Sequence, residues 1–251
     1  MKQLSSSALA KHVPTIDDAT AVAEKIVAKY PSVDAIFLCG SVARGDAGPW
    51  SDIDLVVIGS NPDLTPADFG EFSRSSPTHV SVVYYTTPDF RALLREGILF
   101  LTHLQREGLC LFDRDGIRQA LAAMSIPSEK IAEQINAQTD RLAVYRDPRR
   151  FNNNFLFCLS HLYSIGKGVV MLGLANRGLL EFNREAAFDR FAKLNPDLAP
   201  EIQKVAELRP FYRLVAGREP EPLPFPYTSA GRELQDVTSA IQTLAKRAAQ
   251  P

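Results

Sequence analysis

DAIFLCGSVARGDAGPWSDIDLVVIG, residues 34–59, decides the fold. It reads as strand, glycine turn, short helix or loop, strand. Ala35, Ile36, Phe37, Leu38 and Cys39 form a short apolar run bounded by Asp34 and Gly40, which suits a buried strand. Gly40 breaks the strand, and Ser41 is expected to cap a helix start. Asp52 and Asp54 open a second apolar run, Leu55-Val56-Val57-Ile58, which stops at Gly59. Residues two apart on a strand share a face. Asp52 and Asp54 are therefore expected to aim both carboxylates at one spot, with Ile53 and Leu55 facing the other way.

Like charges held that close repel each other unless a cation sits between them. Hard oxygen ligands favour magnesium. The Gly40-Ser41 turn offers free backbone N–H groups, a natural seat for phosphate. A phosphate cradle facing a metal-binding carboxylate pair is what nucleotidyl transfer from a triphosphate requires.

Gly40-Ser41, a ten-residue gap, then Asp52-Ile53-Asp54 resembles the signature of the DNA polymerase beta-like nucleotidyltransferase superfamily. The GSVARG and SDIDL wording is closest to its small prokaryotic members, the minimal nucleotidyltransferases and, more distantly, the aminoglycoside nucleotidyltransferases. A Gly-Ser turn, a fixed gap, an Asp-x-Asp pair and two flanking apolar strands must all coincide, so the match is specific. The looser resemblance extends to about residue 113. It implies a magnesium ion on Asp52 and Asp54 and a triphosphate, taken as ATP, on Gly40 and Ser41.

Upstream, Thr15 reads as an N-cap with Asp17 and Asp18 in the first turn. Val22, Ala23, Ile26 and Val27 recur at helical spacing until Pro31 stops the helix. Within the gap, Arg44 lies one turn beyond Ser41, as a phosphate contact, a support for the loop or a solvated helix residue. Trp50 either covers one edge of the site or simply packs.

Downstream, residues 60–78 are a polar connection with a weak helix from Pro66 to about Phe72. HVSVVYYT, residues 79–86, alternates and is rich in β-branched and aromatic residues, so a third strand is expected. The superfamily usually places a third carboxylate on the strand beside the Asp pair. The matching position is His79, or Ser81 if the register slips by two, and neither is an acid. Three explanations stay open. His79 serves as base or metal ligand; a carboxylate such as Asp89 or Glu96, or one from a partner chain, completes the site; or the site binds nucleotide without turning it over.

PDFRALLREGILFLTHLQREG, residues 88–108, carries an apolar helical stripe with Gly97 as the point of interruption. His103 and Glu96 are expected to be exposed or to pair with Arg95 or Arg106. Residues 109–112 form a short strand that closes the sheet.

Around Ser125-Ile126-Pro127 the pattern turns helical, with helices expected over 128–145, 151–176, 183–194, 200–215 and 229–249. Arg146, Arg149 and Arg150 form a basic break, read as a solvated cluster or an anion contact. Ser160, Ser164 and Lys167 make a polar stripe on an apolar helix. Lys167 is read either as snorkelling or as a nucleotide phosphate contact in a cleft between domains. His161 is expected to be a hydrogen-bonded core residue. Residues 219–228 are a proline-rich extended crossing. This half resembles the bundle domains that follow the catalytic domain in antibiotic nucleotidyltransferases and in nucleotidyltransferase–HEPN pairs. The HEPN ribonuclease pattern is not evident, so ribonuclease activity is not carried over.

The fold class expected is α+β, a mixed-sheet nucleotidyltransferase domain over 1–125, followed by an all-α helical bundle over 126–251 that binds the acceptor or a partner. The net charge of −1 gives no global reason to expect nucleic-acid binding and argues against a polymerase. No apolar run is expected to reach the length that spans a bilayer, and no secretory signal is evident. Cys39, Cys110 and Cys158 lie far apart without zinc spacing and read as reduced core residues, consistent with a cytoplasmic location. The function expected is magnesium-dependent transfer of a nucleoside monophosphate to a hydroxyl of a small molecule or protein. The alternative is a weakly active or inactive nucleotide-binding regulatory or antitoxin-like module. A homodimer is left open.

Overall fold

The computed structural model describes residues 12–49, 51–145, 147–215 and 230–250. The expectations for the N-terminal arm, Trp50, Arg146 and the proline-rich crossing lie outside the described residues. The chain divides into two compact units, parting between Ile126 and Pro127.

In the first unit, Thr15 starts α1 (Ile16–Lys29). Its hydroxyl accepts from the Asp18 N–H, and the Asp18 carboxylate accepts from the Thr15 N–H, a reciprocal capping box. The helix ends at Tyr30, where the following Pro31 disfavours helical backbone. Then come β1 (Val33–Cys39), α2 (Gly40–Arg44) and β2 (Ile53–Gly59). A 3₁₀ turn at Pro66–Phe69 leads into α3 (Gly70–Arg74). The unit continues with β3 (Val80–Thr86), α4 (Thr87–Glu96), α5 (Leu99–Glu107), β4 (Leu109–Asp113) and α6 (Ile117–Ala122). Gly97, at φ 61°, separates α4 from α5.

The four strands form one mixed sheet in the order β3-β2-β1-β4, with β2 parallel to β3 and β1 antiparallel to both its neighbours. Side-chain alternation gives each face its own core. On one face α1 sets Val22 and Ile26 against Ile36, Leu38, Ile53, Leu55 and Val57, with Phe69, Phe72 and Val80 at the β3 side. On the other, Phe90, Leu101, Leu104, Ile117 and Leu121 cover Phe37, Cys39, Val56 and Ile58. Buried on both faces, β1 reads from Ala35 to Cys39 as an unbroken apolar run rather than an alternating one.

The second unit is helical: α7 (Ser128–Asp140), α8 (Leu142–Tyr145), α9 (Phe155–Ala175), α10 (Arg184–Leu194), α11 (Ala199–Ala206), α12 (Arg209–Val215) and α13 (Ala230–Ala248). Three boundaries differ from expectation. α9 begins four residues later than Phe151, because Asn152 and Asn153 sit at φ 53° and 58° and Asn154 supplies the N-cap. The stretch over 200–215 splits in two, since Pro210 fits only the first turn of a new helix. The stretch over 128–145 likewise breaks after Asp140.

α9 also corrects the expectation about membrane length. Phe155–Ala175 is long and apolar enough to cross a bilayer, but 61% of its most apolar window is buried inside the unit. A helix apolar all round is either a membrane span or a core helix, and here its neighbours close in at its glycines. A Cβ on Gly166 would lie 2.4 Å from Val205 Cγ1, and one on Gly173 would lie 2.7 Å from both Ala248 Cβ and Phe191 Cε2. Helix propensity alone makes Gly173→Ala stabilising by ~1 kcal/mol. Overpacking of this kind costs ~1–3 kcal/mol. The backbone of α13 cannot swing aside, with Ala248 Cα only 3.0 Å from the added carbon. Net destabilisation is expected, measured as a fall in the urea midpoint at unchanged slope.

Candidate active site

The site lies where β1 ends and β2 begins. Gly40 leaves β1 at φ 76°, a backbone conformation that disfavours any residue with a side chain. There is a second reason for glycine here. A Cβ at residue 40 would sit 2.5 Å from Asp54 Oδ2, so the carboxylate of Asp54 occupies the space a side chain would fill. The pairing of Cys39 with Asp54 across β1 and β2 sets this up.

Ser41 does not cap α2. The N-cap position is Cys39, without a side-chain bond, and the Ser41 hydroxyl instead donates to Ser51 Oγ at 2.9 Å. Ser51 Oγ also accepts from the Gly48 N–H at 2.9 Å. The hydroxyl thus ties the glycine turn to the residue preceding Asp52, pinning the connecting loop. Asp52 and Asp54 are both half-buried, with buried Ile53 and Leu55 turned to the opposite face as the alternation predicts.

Cys39 reports on the local charge. Its thiol is pushed up to about 12, first by burial and then by the negative charge of Asp54, with the Arg44 guanidinium opposing. A carboxylate and a guanidinium therefore both bear on this thiol. Arg44 itself is held by Asp46 at 3.2 Å and by Glu107 at 3.2 Å. His103 Nε2 lies 3.1 Å from the same Glu107 oxygen, so His103 pairs with Glu107. Of the three roles open to Arg44, this geometry favours bracing the loop. Glu107 was not singled out by the sequence: it stands 63 residues from Arg44, and no local pattern joins them.

On the other side of β2, the parallel register places Ser81 beside Asp54 and Val80 beside Ile53. The Ile53 N–H donates to the His79 carbonyl at 2.9 Å, which carries the pairing one step further toward Asp52. Both positions considered for a third carboxylate thus flank the pair, and neither is acidic. Asp89 does not fill the gap. Its carboxylate accepts from Thr86 Oγ1 at 2.6 Å at the far end of β3. That end is five residue steps from Ser81, about 17 Å of rise. Among the described residues no group of three or more His, Cys, Asp or Glu side chains is arranged to hold a metal ion. His79 is exposed, and its Nδ1 lies 2.8 Å from Ser73 Oγ.

In the second unit Lys167 is half-buried on α9 rather than at the surface. Burial pulls its ammonium down to about 8, and the neighbouring Arg184 guanidinium pushes the same way. Among the described residues the Lys167 ammonium makes no hydrogen bond or ion pair. Arg184 lies over the Tyr212 ring, 5.1 Å from its centroid. His161 donates its Nδ1–H to the Phe157 carbonyl, 2.9 Å away, and stacks on Tyr145, as a core histidine does. Arg149 is engaged by Asp147 and exposed.

The Lys167 shift has a stability consequence. The unfolded chain holds this proton to about pH 10.4, the folded chain only to about 8. Between those values the unfolded state binds more protons, so stability rises with pH, by at most about 1.4 kcal/mol per unit. Lys167→Met is expected to flatten the rise across that window in denaturant titrations run at successive pH values. An unchanged slope would count against the shift.

Residues 20–99 match the sequence family described as nucleotidyltransferase domain. No curated protein matches the chain by sequence. Among solved structures, the spectinomycin adenyltransferase AAD(9) from Enterococcus faecialis, solved with ATP and spectinomycin, superposes with a TM-score of 0.53 at 11% identity, covering 90% of this chain and 99% of that one. A toxin–antitoxin structure with AMP-PNP aligns at TM-score 0.33 and 18% identity over 50% of this chain and 94% of that one. A nucleotidyltransferase-like protein from Exiguobacterium sibiricum 255-15 aligns at TM-score 0.36 and 13% identity, over 90% and 74% respectively. Only the first superposition is close enough to speak to the fold, and it agrees with a mixed sheet followed by helices. The Gly-Ser turn and the Asp-x-Asp strand both lie inside residues 20–99, the part of the chain that is similar to the nucleotidyltransferase domain family.

Proposed function

We propose that this chain transfers a nucleoside monophosphate from a magnesium-bound triphosphate, taken as ATP, to a hydroxyl acceptor and releases pyrophosphate. One observation carries the reading: the Asp54 carboxylate sits in the space above Gly40 that any side chain would fill. That supports reading the glycine turn and the acidic strand as one site. Two carboxylates suffice for magnesium, which keeps several waters and takes its other ligands from substrate phosphates. Asp52 and Asp54 would hold the ion, which when bound supplies charge neutralisation along the phosphate tail.

The chain's own groups do the rest by position. The turn at Gly40-Ser41 offers backbone N–H groups to phosphate oxygens. Ser51 and Ser41 keep that turn fixed against the start of β2. The Arg44–Glu107 pair braces the loop beyond it. His79 is assigned to take the proton from the acceptor hydroxyl. Lys167 is assigned as a contact for an anionic group, supported by its charge, its half-burial and its lack of an ion-pair partner among the described residues. The acceptor classes are a small molecule of the spectinomycin kind, as in the enzyme whose fold the chain shares, and a protein side chain.

A second reading, nucleotide binding without transfer, is favoured by the non-acidic residues at 79 and 81 beside the pair. The test separating the two uses α-labelled ATP with magnesium, offering spectinomycin and the chain itself as acceptors. Label is expected to move in the wild type. His79→Ala is expected to lower turnover by about 10²–10⁴-fold while ATP binding persists. Label moving only in His79→Asp would establish the second reading.

A further inference from the structure

The segment from Ser73 to Val80 holds a side-chain pair that the sequence did not signal. Ser73, on the last turn of α3, is fixed in place because Phe69 and Phe72 anchor that segment in the core. Its Oγ accepts the Val80 N–H at 3.0 Å and lies 2.8 Å from His79 Nδ1. His79 in turn is tied through its carbonyl to Ile53, the residue between Asp52 and Asp54. Ser73 therefore sets the orientation of the exposed imidazole on the residue whose backbone pairs with Ile53, between the two aspartates.

A hydroxyl has two lone pairs and one hydrogen. The Val80 N–H takes one lone pair. The other is open to a hydrogen on His79 Nδ1, which leaves His79 Nε2 bare and able to accept a proton. The reverse arrangement, with the hydroxyl donating to Nδ1, places the hydrogen on Nε2, where the ring can only donate. In the first arrangement the ring can gain a proton at Nε2 and keep its Nδ1–H on Ser73 throughout, as an orienting partner does in other histidine bases.

We propose that Ser73 is the positioning residue of the candidate reaction, holding His79 with its Nδ1–H donated and its Nε2 presented to the acceptor hydroxyl. The proposal rests on the reading of this chain as a transferase with His79 as base. The acceptor O–H bond breaks and its proton passes to Nε2. The acceptor oxygen bonds to the α-phosphorus as the bond from that phosphorus to the bridging oxygen breaks. Pyrophosphate leaves with that electron pair, and the imidazolium returns its proton to water.

The test combines imidazole ¹⁵N–¹H spectra with label transfer from α-labelled ATP, using spectinomycin and the chain itself as acceptors. In the wild type His79 is expected to show the Nδ1–H form, and in Ser73→Ala to lose it. Turnover in Ser73→Ala is expected to fall about 10- to 100-fold with the KM for ATP unchanged, and Ser73→Thr is expected to restore both signals. A purely structural role for Ser73 would leave the tautomer unchanged. An Nε2–H ring in the wild type, or the same spectrum in wild type and Ser73→Ala, overturns the proposal. Wild-type transfer matched by Ser73→Ala overturns it alone, whereas a wild type that binds magnesium-ATP but transfers to neither acceptor overturns the transferase reading beneath it.

Discussion

Asp54→Ala is expected to abolish magnesium-dependent ATP binding while the protein stays folded. Its carboxylate is half-buried at the exit of β1, above a glycine whose missing side chain makes room for it. Losing a supporting residue of a metal site costs about 10- to 100-fold in affinity, and losing a ligand from a pair should cost at least that. Asp52→Ala should behave alike, since two carboxylates are the acidic groups this end of β2 contributes. The fold should survive both changes, because Ile53 and Leu55 point the opposite way into the core shared with α1. Calorimetry with ATP, with and without magnesium, checks this. Equal ATP affinity in wild type and Asp54→Ala, in the presence of magnesium, would remove the carboxylate pair from the site.

Gly40→Ala is expected to do nearly the same damage without touching an acid. Left-handed backbone costs a non-glycine residue ~1–2 kcal/mol, which should appear as a lowered thermal midpoint. The larger effect is local. The new methyl group would lie 2.5 Å from Asp54 Oδ2, closer than the two atoms can approach. Either the carboxylate rotates away or β1 and β2 shift apart. In both cases magnesium-dependent ATP binding should be lost while most of the stability remains. Gly45 is the control: it also has positive φ, at 78°, but a Cβ there meets nothing within 4 Å. Gly45→Ala should therefore lose stability and keep the nucleotide. If the two variants bound ATP equally well, the crowding at Gly40 would not matter to the site.

The centre of the site was legible in the sequence because local rules governed it. Alternation put Asp52 and Asp54 on one side and Ile53 and Leu55 on the other, and a glycine marked the turn. The mixed sheet followed from short β-branched runs broken by helical stretches. What escaped notice was set by distance in the chain. Nothing near Arg44 announces Glu107, and nothing near His79 announces that its ring rests on Ser73. Ser41 was misread because its hydroxyl had a stronger claim on it, the Ser51 side chain ten residues on, than the helix start next door. Asn152 and Asn153 delayed α9 by taking left-handed backbone that their composition permits but does not demand. Lys167 reads as snorkelling or as a phosphate contact because Ser160 and Ser164 mark a polar stripe beside it, and the sequence does not show that α9 is packed on nearly every side.

The parallel pairing of β2 with β3 sets the acid-free position directly beside the aspartates. Histidine and aspartate codons differ in a single base, CAY against GAY. At position 79 an imidazole and a carboxylate are thus one point mutation apart, with no change of frame or fold between them. That single base change would fall on the residue whose carbonyl accepts from Ile53, between the two aspartates.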